Sequence, residues 1–240
     1  YNRLLKINPE DVLSLSGKAM LLTRLGKYDD ALAIYEQLTA QSPENPDFWA
    51  QKAYVLNSMG NYEEGLASAE KALELDNQDS VAWNNKGTSL INLGKAEDAL
   101  DDYNQAIRND PDNAITWSNK GYVLALLGRP TEALEAYSTS LDIDPNQSTT
   151  WSYYASALYQ TGNFEAAIDA SDHAIRGDND NYLAWVTRGN ALSAMRNYSD
   201  AVTAFRTALA IRNDSPVVWF NLGFALHNMR DYEGAITAYR

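Results

Sequence analysis

The chain has 240 residues, a hydrophobic content of 45% and a formal net charge of −13. No stretch approaches the roughly 18 consecutive apolar residues that a transmembrane helix needs, so we expect no membrane span. Since cysteine is absent, disulfides, thiol catalysis and cysteine metal sites are excluded. The negative charge opposes binding to nucleic acid phosphates and to anionic membrane surfaces. We therefore expect protein or peptide partners that are neutral or basic, no nucleic acid, no membrane, and a cytoplasmic location.

One residue type recurs with a fixed spacing along the chain. All six tryptophans lie 34 residues apart, and Leu15 holds the equivalent place one step before the first of them. A strict period of this length indicates one supersecondary unit that is copied in tandem. The fold is therefore expected to be a repeat array, which presents a long surface. The tryptophans are Trp49, Trp83, Trp117, Trp151, Trp185 and Trp219.

Taken in chain order, this register predicts six complete repeats between two partial ones. Residues 1–11 are expected to be the end of a second helix, because Tyr1, Leu4 and Pro9 match the late places of a copy. Residues 216–240 form a last partial repeat. We therefore expect residues 1–240 to be a single fragment of a longer array, with exposed ends that can stack on one another. The complete repeats are 12–45, 46–79, 80–113, 114–147, 148–181 and 182–215.

Within each copy the pattern predicts two helices. With the tryptophan as place 0, a small residue at +4 and Leu at +7 form one stripe of a first helix, as at Trp83, Gly87 and Leu90. A second stripe follows through a small residue at +16 and often an aromatic at +20, until an Asp, Asn or Pro turn ends the second helix. Glycine at +11 is expected to end the first helix in a left-handed conformation. These glycines are Gly26, Gly60, Gly94, Gly128 and Gly162.

Two packing contacts are expected from the same pattern. Small residues at +4 face small residues at +16, which brings the two helix backbones close together. The tryptophan fills the space between neighbouring copies, where burial of an indole contributes roughly 4–6 kcal/mol at about 25 cal/mol per Å². We therefore interpret the tryptophans as core residues.

The combined pattern, W-x2-[LK]-[GA]-x2-[LY]…A-x3-[YF]…P, resembles the tetratricopeptide repeat over essentially the whole chain. The resemblance implies an all-α fold, a right-handed α-solenoid (superhelix) of tandem helix-turn-helix units. It also implies a concave groove, lined by the first helices, that binds extended peptides. Two features depart from the family pattern. Basic residues replace its usual Leu at +3, as at Lys52, Lys86, Lys120 and Arg188, and the turn glycine is replaced by Arg196 and Arg230.

The face of the first helix that lies opposite the tryptophan stripe carries places −2, +1, +2, +5, +8 and +9, and we call it the groove face. Of its 42 places in seven copies, only Arg24 and Asp47 are charged, while asparagines and aromatics are frequent. A side-chain amide can pair with both the N–H and the C=O of any peptide backbone. Alternatively, the asparagines hydrate an exposed helix face or bond to the next helix. The expected peptide-binding residues are Gln51, Tyr54, Asn84, Asn85, Asn119, Tyr122, Tyr153, Asn190, Asn221 and Phe224.

No residue pattern indicates catalysis or metal binding. His173 and His227 are expected to be surface side chains, and the groove face lacks the basic residues with which related repeats hold acidic C-terminal tails. We expect no cofactor, no metal and no catalytic residue. The sequence predicts a non-enzymatic scaffold that binds an extended, non-acidic peptide segment. Two alternatives remain open: self-association through the array ends or the convex face, and service as the regulatory arm of a larger enzyme.

Overall fold

The computed structural model describes residues 11–240, and every regular element in that range is an α-helix. The partial repeat expected at 1–11, with Tyr1, Leu4 and Pro9, falls outside the described residues except for its last position. We number the helices of the described range α1 to α14. They are Val12–Arg24, Tyr28–Gln41, Pro46–Met59, Tyr62–Leu75, Ser80–Asn92, Ala96–Asn109, Ala114–Leu126, Pro130–Ile143, Ser148–Gln160, Phe164–Gly177, Tyr182–Ala194, Tyr198–Ile211, Pro216–Asn228 and Tyr232–Ala238.

The helices alternate between two roles: odd-numbered helices are the first helices of a hairpin and even-numbered helices are the second. The first helices begin 34 residues apart, from Val12 to Pro216. Local chemistry marks several of these starts. The side chains of Asp11 and Asp79 accept backbone N–H groups of the first turn, which would otherwise lack partners. Pro46 and Pro216 stand at a first helical position, where a missing N–H costs nothing.

The contacts divide the chain into two compact units, 1–119 and 120–240, and the division falls within α7. In the first unit each helix from α1 to α5 packs on the next one along the chain, and in the second each helix from α8 to α13 does so. First helices also pack on each other, α3 on α5 in the first unit, and α9 on α11 and α11 on α13 in the second. Packing between successive copies is what defines a helical repeat protein, so the expected all-α repeat fold is confirmed.

The tight turn between the helices of a hairpin has a left-handed residue in all seven copies of the described range. In five copies it is glycine, with φ between 69° and 84°, which confirms the predicted helix ends. In the last two copies, Arg196 (φ 63°) and Arg230 (φ 66°) adopt the same conformation. A side chain with a Cβ pays about 1–2 kcal/mol for this conformation. Only these two copies carry that cost.

The tryptophans pack at the edge of the core and are only partly buried, so the expectation that their indoles are fully buried is wrong. Five are half-buried, and Trp219 keeps 37% of its surface exposed. Each indole Nε1 instead donates a hydrogen bond to the carbonyl oxygen of the residue six places earlier, at 2.8–2.9 Å. An indole N–H needs a polar partner, and the nearest one lies in the turn at the edge of the packing. The indole therefore holds the turn that precedes its own helix, rather than filling the core.

The small residue at +4 also has a different partner from the predicted one. A Cβ added to Gly121 would lie 2.6 Å from the ring of Tyr137, at +20 in the same copy, and Tyr137 is almost fully buried. The glycine therefore makes room for this ring, a contact that the pattern did not predict. Where +4 is alanine, as at Ala53 and Ala155, place +20 holds a small residue, and the first copy, with Ala19 and Tyr35, is the exception. Glycine faces an aromatic ring in the same way at Gly87–Tyr103, Gly189–Phe205 and Gly223–Tyr239.

Candidate functional site

Only half of the groove face is exposed. Places +1 and +2 are buried or half-buried in every copy except the last, where Phe220 at +1 is exposed. Places −2, +5 and +9 face solvent in most copies, and we call them the exposed stripe. In the first unit the exposed stripe consists of Leu13, Met20, Arg24, Asp47, Tyr54, Ser58, Val81, Thr88, Asn92 and Ile115. In the second it consists of Tyr122, Leu126, Thr149, Ser156, Gln160, Leu183, Asn190, Ala194, Val217, Phe224 and Asn228.

The exposed stripe is rich in apolar side chains and nearly uncharged. Leu13 is 82% exposed, Ile115 62% and Val217 66%, while the rings of Tyr54 and Phe224 are each 45% exposed. Arg24 and Asp47 are its only charged members. Exposed apolar side chains that recur on one face of successive helices typically mark a site where another molecule binds.

Asn85 does not face the groove, so its prediction as a peptide-binding residue is wrong. It is 2% exposed, and its Nδ2 donates to the carbonyl oxygen of Ala50 at 2.9 Å. Its own carbonyl oxygen accepts hydrogen bonds from Asn57 Nδ2 (2.8 Å) and Ser89 Oγ (3.1 Å). These groups join α3 to α5 inside the packing, where every polar atom needs a partner. Asn85 therefore holds neighbouring copies together.

Four further predicted asparagines pair with each other between neighbouring first helices. Asn119 Nδ2 donates to Asn84 Oδ1 at 3.0 Å in the first unit, and Asn221 Nδ2 donates to Asn190 Oδ1 at 2.9 Å in the second. The alternative that the amides bond to the next helix therefore holds for these pairs. All four side chains are half-buried. No described residue forms a hydrogen bond with the Nδ2 groups of Asn84 and Asn190 or with the Oδ1 atoms of Asn119 and Asn221. Each pair thus still offers one N–H donor and one C=O acceptor to a ligand.

The other two predicted residues of the first unit lie on α3. Tyr54, at +5, is 45% exposed and belongs to the exposed stripe. Gln51, at +2, is half-buried. In this unit the structure therefore leaves one well-exposed aromatic ring and the partly exposed amides of Gln51, Asn84 and Asn119.

Tyr122 and Tyr153 form an aromatic cluster with Tyr137 in the second unit. The ring centroids of Tyr122 and Tyr153 lie 5.3 Å apart, and those of Tyr137 and Tyr153 lie 6.1 Å apart in a stacked arrangement. Burial raises the pKa of Tyr137 and Tyr153, because the charged phenolate would lose its hydration. Of the three rings, only that of Tyr122, which is 38% exposed, presents much of its surface to solvent.

A cavity of about 400 Å³ lies beside α11 and α13 in the second unit, and we call it the Arg196 cavity. Three predicted residues line it: Asn190, Asn221 and Phe224. Four more lining residues stand on the predicted groove face, and sequence reasoning missed only Arg196, Tyr198 and Phe205, although arginine in place of the turn glycine was a visible signal. The other lining residues are Tyr159, Ser193, Ala194, Arg196, Tyr198, Phe205 and Phe220.

The acidity of the chain lies away from the exposed stripe. Asp47 is the only acidic residue on any first helix, and the others of the described range lie on second helices and in turns. One of them, Asp102 on α6, is 6% exposed and pairs with Lys86 Nζ at 3.3 Å. Burial raises the pKa of Asp102, more than the nearby ammonium lowers it. This ion pair belongs to the hairpin packing rather than to the groove.

Two further kinds of site are absent from residues 11–240. No group of three or more His, Asp or Glu side chains in this range is placed to hold a metal ion. None of the helices described there has both the length and the apolar character needed to cross a bilayer.

Sequence comparison agrees with the repeat seen in the structure. One family profile described as "Tetratricopeptide repeat" matches residues 84–148, and a second matches 22–86 and 124–188, which is more than half of the chain. A third, described as "TPR repeat", matches residues 189–229. The chain belongs to the tetratricopeptide repeat family. No curated protein matches the sequence significantly.

Solved structures with the same fold have low sequence identity to this tetratricopeptide repeat protein. PilF of Pseudomonas aeruginosa is 17% identical, with a TM-score of 0.75 over 92% of this chain and 96% of its own. YrrB, described as a TPR protein with an unusual peptide-binding site, is 21% identical, with a TM-score of 0.63 over 82% of this chain and 97% of its own. A thermophilic TPR protein of Thermus thermophilus is 20% identical, with a TM-score of 0.65 over 76% and 99%. At these identities the likeness concerns the fold.

Proposed function

We propose that the chain is a non-catalytic scaffold that binds an extended segment of another protein along the exposed stripe of either unit. The observation that carries the proposal is the contrast between this stripe and the rest of the molecule. The stripe holds exposed rings and aliphatic side chains and only two charged residues, Arg24 and Asp47, in a chain with a net charge of −13. Apolar surface of this kind gains free energy when another molecule covers it.

The amide pairs supply the polar half of the proposed binding. Asn84 with Asn119, and Asn190 with Asn221, keep one donor and one acceptor each beside the apolar side chains. An extended peptide has unpaired N–H and C=O groups along its whole length, and such groups must be paired when they leave water. The described peptide-binding site of YrrB is in line with this mode of binding.

The charge distribution favours a segment without net negative charge. Acidic second helices and turns surround a stripe that has no basic cluster to compensate. Approach of an acidic segment would therefore meet repulsion, while a neutral or basic segment would be attracted or unaffected.

Selection from a random peptide library tests this proposal. Short peptides are selected on the intact chain, and the affinities of individual binders are measured by fluorescence anisotropy. We expect binders without net negative charge, and about tenfold weaker binding after Tyr54→Ala or Phe224→Ala, the size expected for loss of one aromatic anchor. Ile143→Ala is the matched control, because Ile143 is 38% exposed but lies at the end of the second helix α8. Acidic binders, or equal losses in all three variants, would contradict the proposal.

Self-association is a second candidate, because apolar side chains of the exposed stripe such as Leu13 and Ile115 are uncovered and a second copy of the chain can bury them. Light scattering over a concentration series without peptide separates the two candidates. A mass that rises with concentration supports self-association, and a constant monomer mass rejects it.

A further inference from the structure

The Arg196 cavity has a composition that differs from the rest of the exposed stripe. Its lining combines the Asn190–Asn221 amide pair with five aromatic rings, those of Tyr159, Tyr198, Phe205, Phe220 and Phe224. Arg196 is the only charged residue in its lining. Concave sites with aromatic walls and a few polar groups are typical of side-chain or small-ligand recognition.

The backbone at Arg196 adopts a conformation that is unfavourable for a residue with a side chain. Its φ is 63°, a left-handed conformation that glycine occupies in five other copies without a steric penalty. None of the described residues forms an ion pair or a hydrogen bond with its guanidinium, and the side chain is exposed. The guanidinium therefore adds no hydrogen bond and no ion pair to the packing of the described residues. The guanidinium is therefore available to a ligand in the cavity that it lines.

We propose that the Arg196 cavity binds one aromatic side chain of the segment together with an adjacent carboxylate. This inference rests on the proposed function and names the feature that the segment carries at the second unit. The aromatic side chain packs among the rings, and the guanidinium of Arg196 donates to the carboxylate, whose planar geometry matches its own. One carboxylate is compatible with a segment that carries no net negative charge, since basic residues elsewhere can balance it.

The size and charge of the cavity support this occupant. A volume of about 400 Å³ falls in the range of ligand sites and is too small for a helix. A Tyr198–Phe224 edge contact, with ring centroids 6.3 Å apart, holds one wall in place. A purely apolar occupant would fill the space but leave the guanidinium without a partner, whereas a carboxylate complements its charge.

Arg230 offers an internal control. It stands one copy later at the same left-handed turn, with φ 66°, and is also exposed, but it does not line the cavity. Replacing either arginine with glycine relieves the same backbone strain. Only the change at Arg196 removes the charge from the proposed site.

The test uses synthetic peptides that are blocked at both ends and carry a central Phe-Asp, Phe-Asn or Ala-Asp pair in a Gly-Ser background with one lysine, so that none has a net negative charge. A further peptide ends in Phe with a free carboxylate, which distinguishes a side-chain carboxylate from a terminal one. Affinities are measured by fluorescence anisotropy on the parent chain, Arg196→Gly and Arg230→Gly, and thermal unfolding is recorded for each. We expect Phe-Asp to bind about tenfold more tightly than Phe-Asn, because a charge-assisted hydrogen bond is roughly twice as strong as a neutral one. Phe-Asp should also bind about tenfold more tightly than Ala-Asp, because Ala-Asp lacks the aromatic ring. Arg196→Gly should weaken the binding of Phe-Asp to the affinity measured for Phe-Asn. Arg230→Gly should leave the affinities of both peptides unchanged.

The outcomes separate this inference from the proposed function. Equal binding of Phe-Asp and Phe-Asn to the parent chain overturns the inference, as does an equal loss for both peptides in Arg196→Gly. If the library still yields binders that Tyr54→Ala weakens, the scaffold proposal survives that result. If neither the library nor the synthetic peptides bind, both proposals fail. A difference between Phe-Asp and Phe-Asn that shrinks with added salt supports the charge contact.

Discussion

Replacing Asn85 with alanine should destabilise the first unit and leave peptide binding unchanged. The substitution removes the hydrogen bond from Asn85 Nδ2 to the carbonyl oxygen of Ala50, which lies 2.9 Å away in surroundings that exclude water. It also leaves a void where the amide was. Because the side chain is only 2% exposed, no ligand on the groove face reaches it in the folded protein.

The expected loss follows from these two contributions. A buried acceptor that loses its partner costs about 1–3 kcal/mol, and the void adds a smaller amount that depends on how far α3 and α5 close the gap. We therefore expect the free energy of unfolding to fall by about 2–3 kcal/mol. Most single substitutions cost about 0.5–3 kcal/mol, so this one lies in the upper part of that range.

Urea denaturation followed by circular dichroism measures this change, alongside the affinity of a selected peptide. Repeat arrays need not unfold in one step, so both the midpoint and the slope of each transition are compared with the parent chain. Asn92→Ala is the control, because Asn92 is exposed and its Nδ2 donates only to Thr88 in its own helix. Its stability should stay within about 0.5 kcal/mol of the parent. If Asn85→Ala unfolds at the parent's midpoint but loses peptide binding, our account of this residue is refuted.

Two further substitutions test the packing of the hairpins. Gly121→Ala would place a Cβ 2.6 Å from the ring of Tyr137 and should lower the free energy of unfolding by about 1–3 kcal/mol in urea titrations. Adding Tyr137→Ser should make that penalty smaller, and strictly additive effects would rule out the contact. Burial raises the pKa of Asp102, so the folded state holds this proton more tightly than the unfolded state and loses stability as pH rises through the folded pKa. Asp102→Asn should therefore raise the melting temperature at about pH 7 but not at about pH 3.5, below the usual aspartate pKa; a gain at both pH values would point to another cause.

The sequence predicted the features that depend on local periodicity. The start of each first helix and the left-handed glycines follow from the spacing of apolar and small residues within one copy, and Gly26 and Gly162 behave as expected. The neutrality of the exposed stripe was also readable, since it depends only on which residues occupy one side of a helix. Such features need no knowledge of how neighbouring copies pack.

The errors arose where a neighbouring helix or turn decides the outcome. A helical wheel gives the direction of a side chain but not the distance to the next helix, so Asn85 at +2 looked as exposed as Tyr54 at +5. The structure buries the first and exposes the second. Trp83 was assigned to the core by its size, but its N–H bonds to Asn77 in the turn and keeps the ring at the edge. The replacement of the turn glycine by Arg196 is visible in the sequence, but only the structure shows which residues line the cavity beside it.

The indole bond has a consequence for how such a chain can change its length. Donor and acceptor lie six residues apart in the same stretch of chain, so the contact never relies on a distant neighbour. Duplication or deletion of one whole copy would leave every remaining indole with its own acceptor. Insertion or deletion of a 34-residue block in the gene would therefore leave the indole hydrogen bond intact in every remaining copy that has a tryptophan.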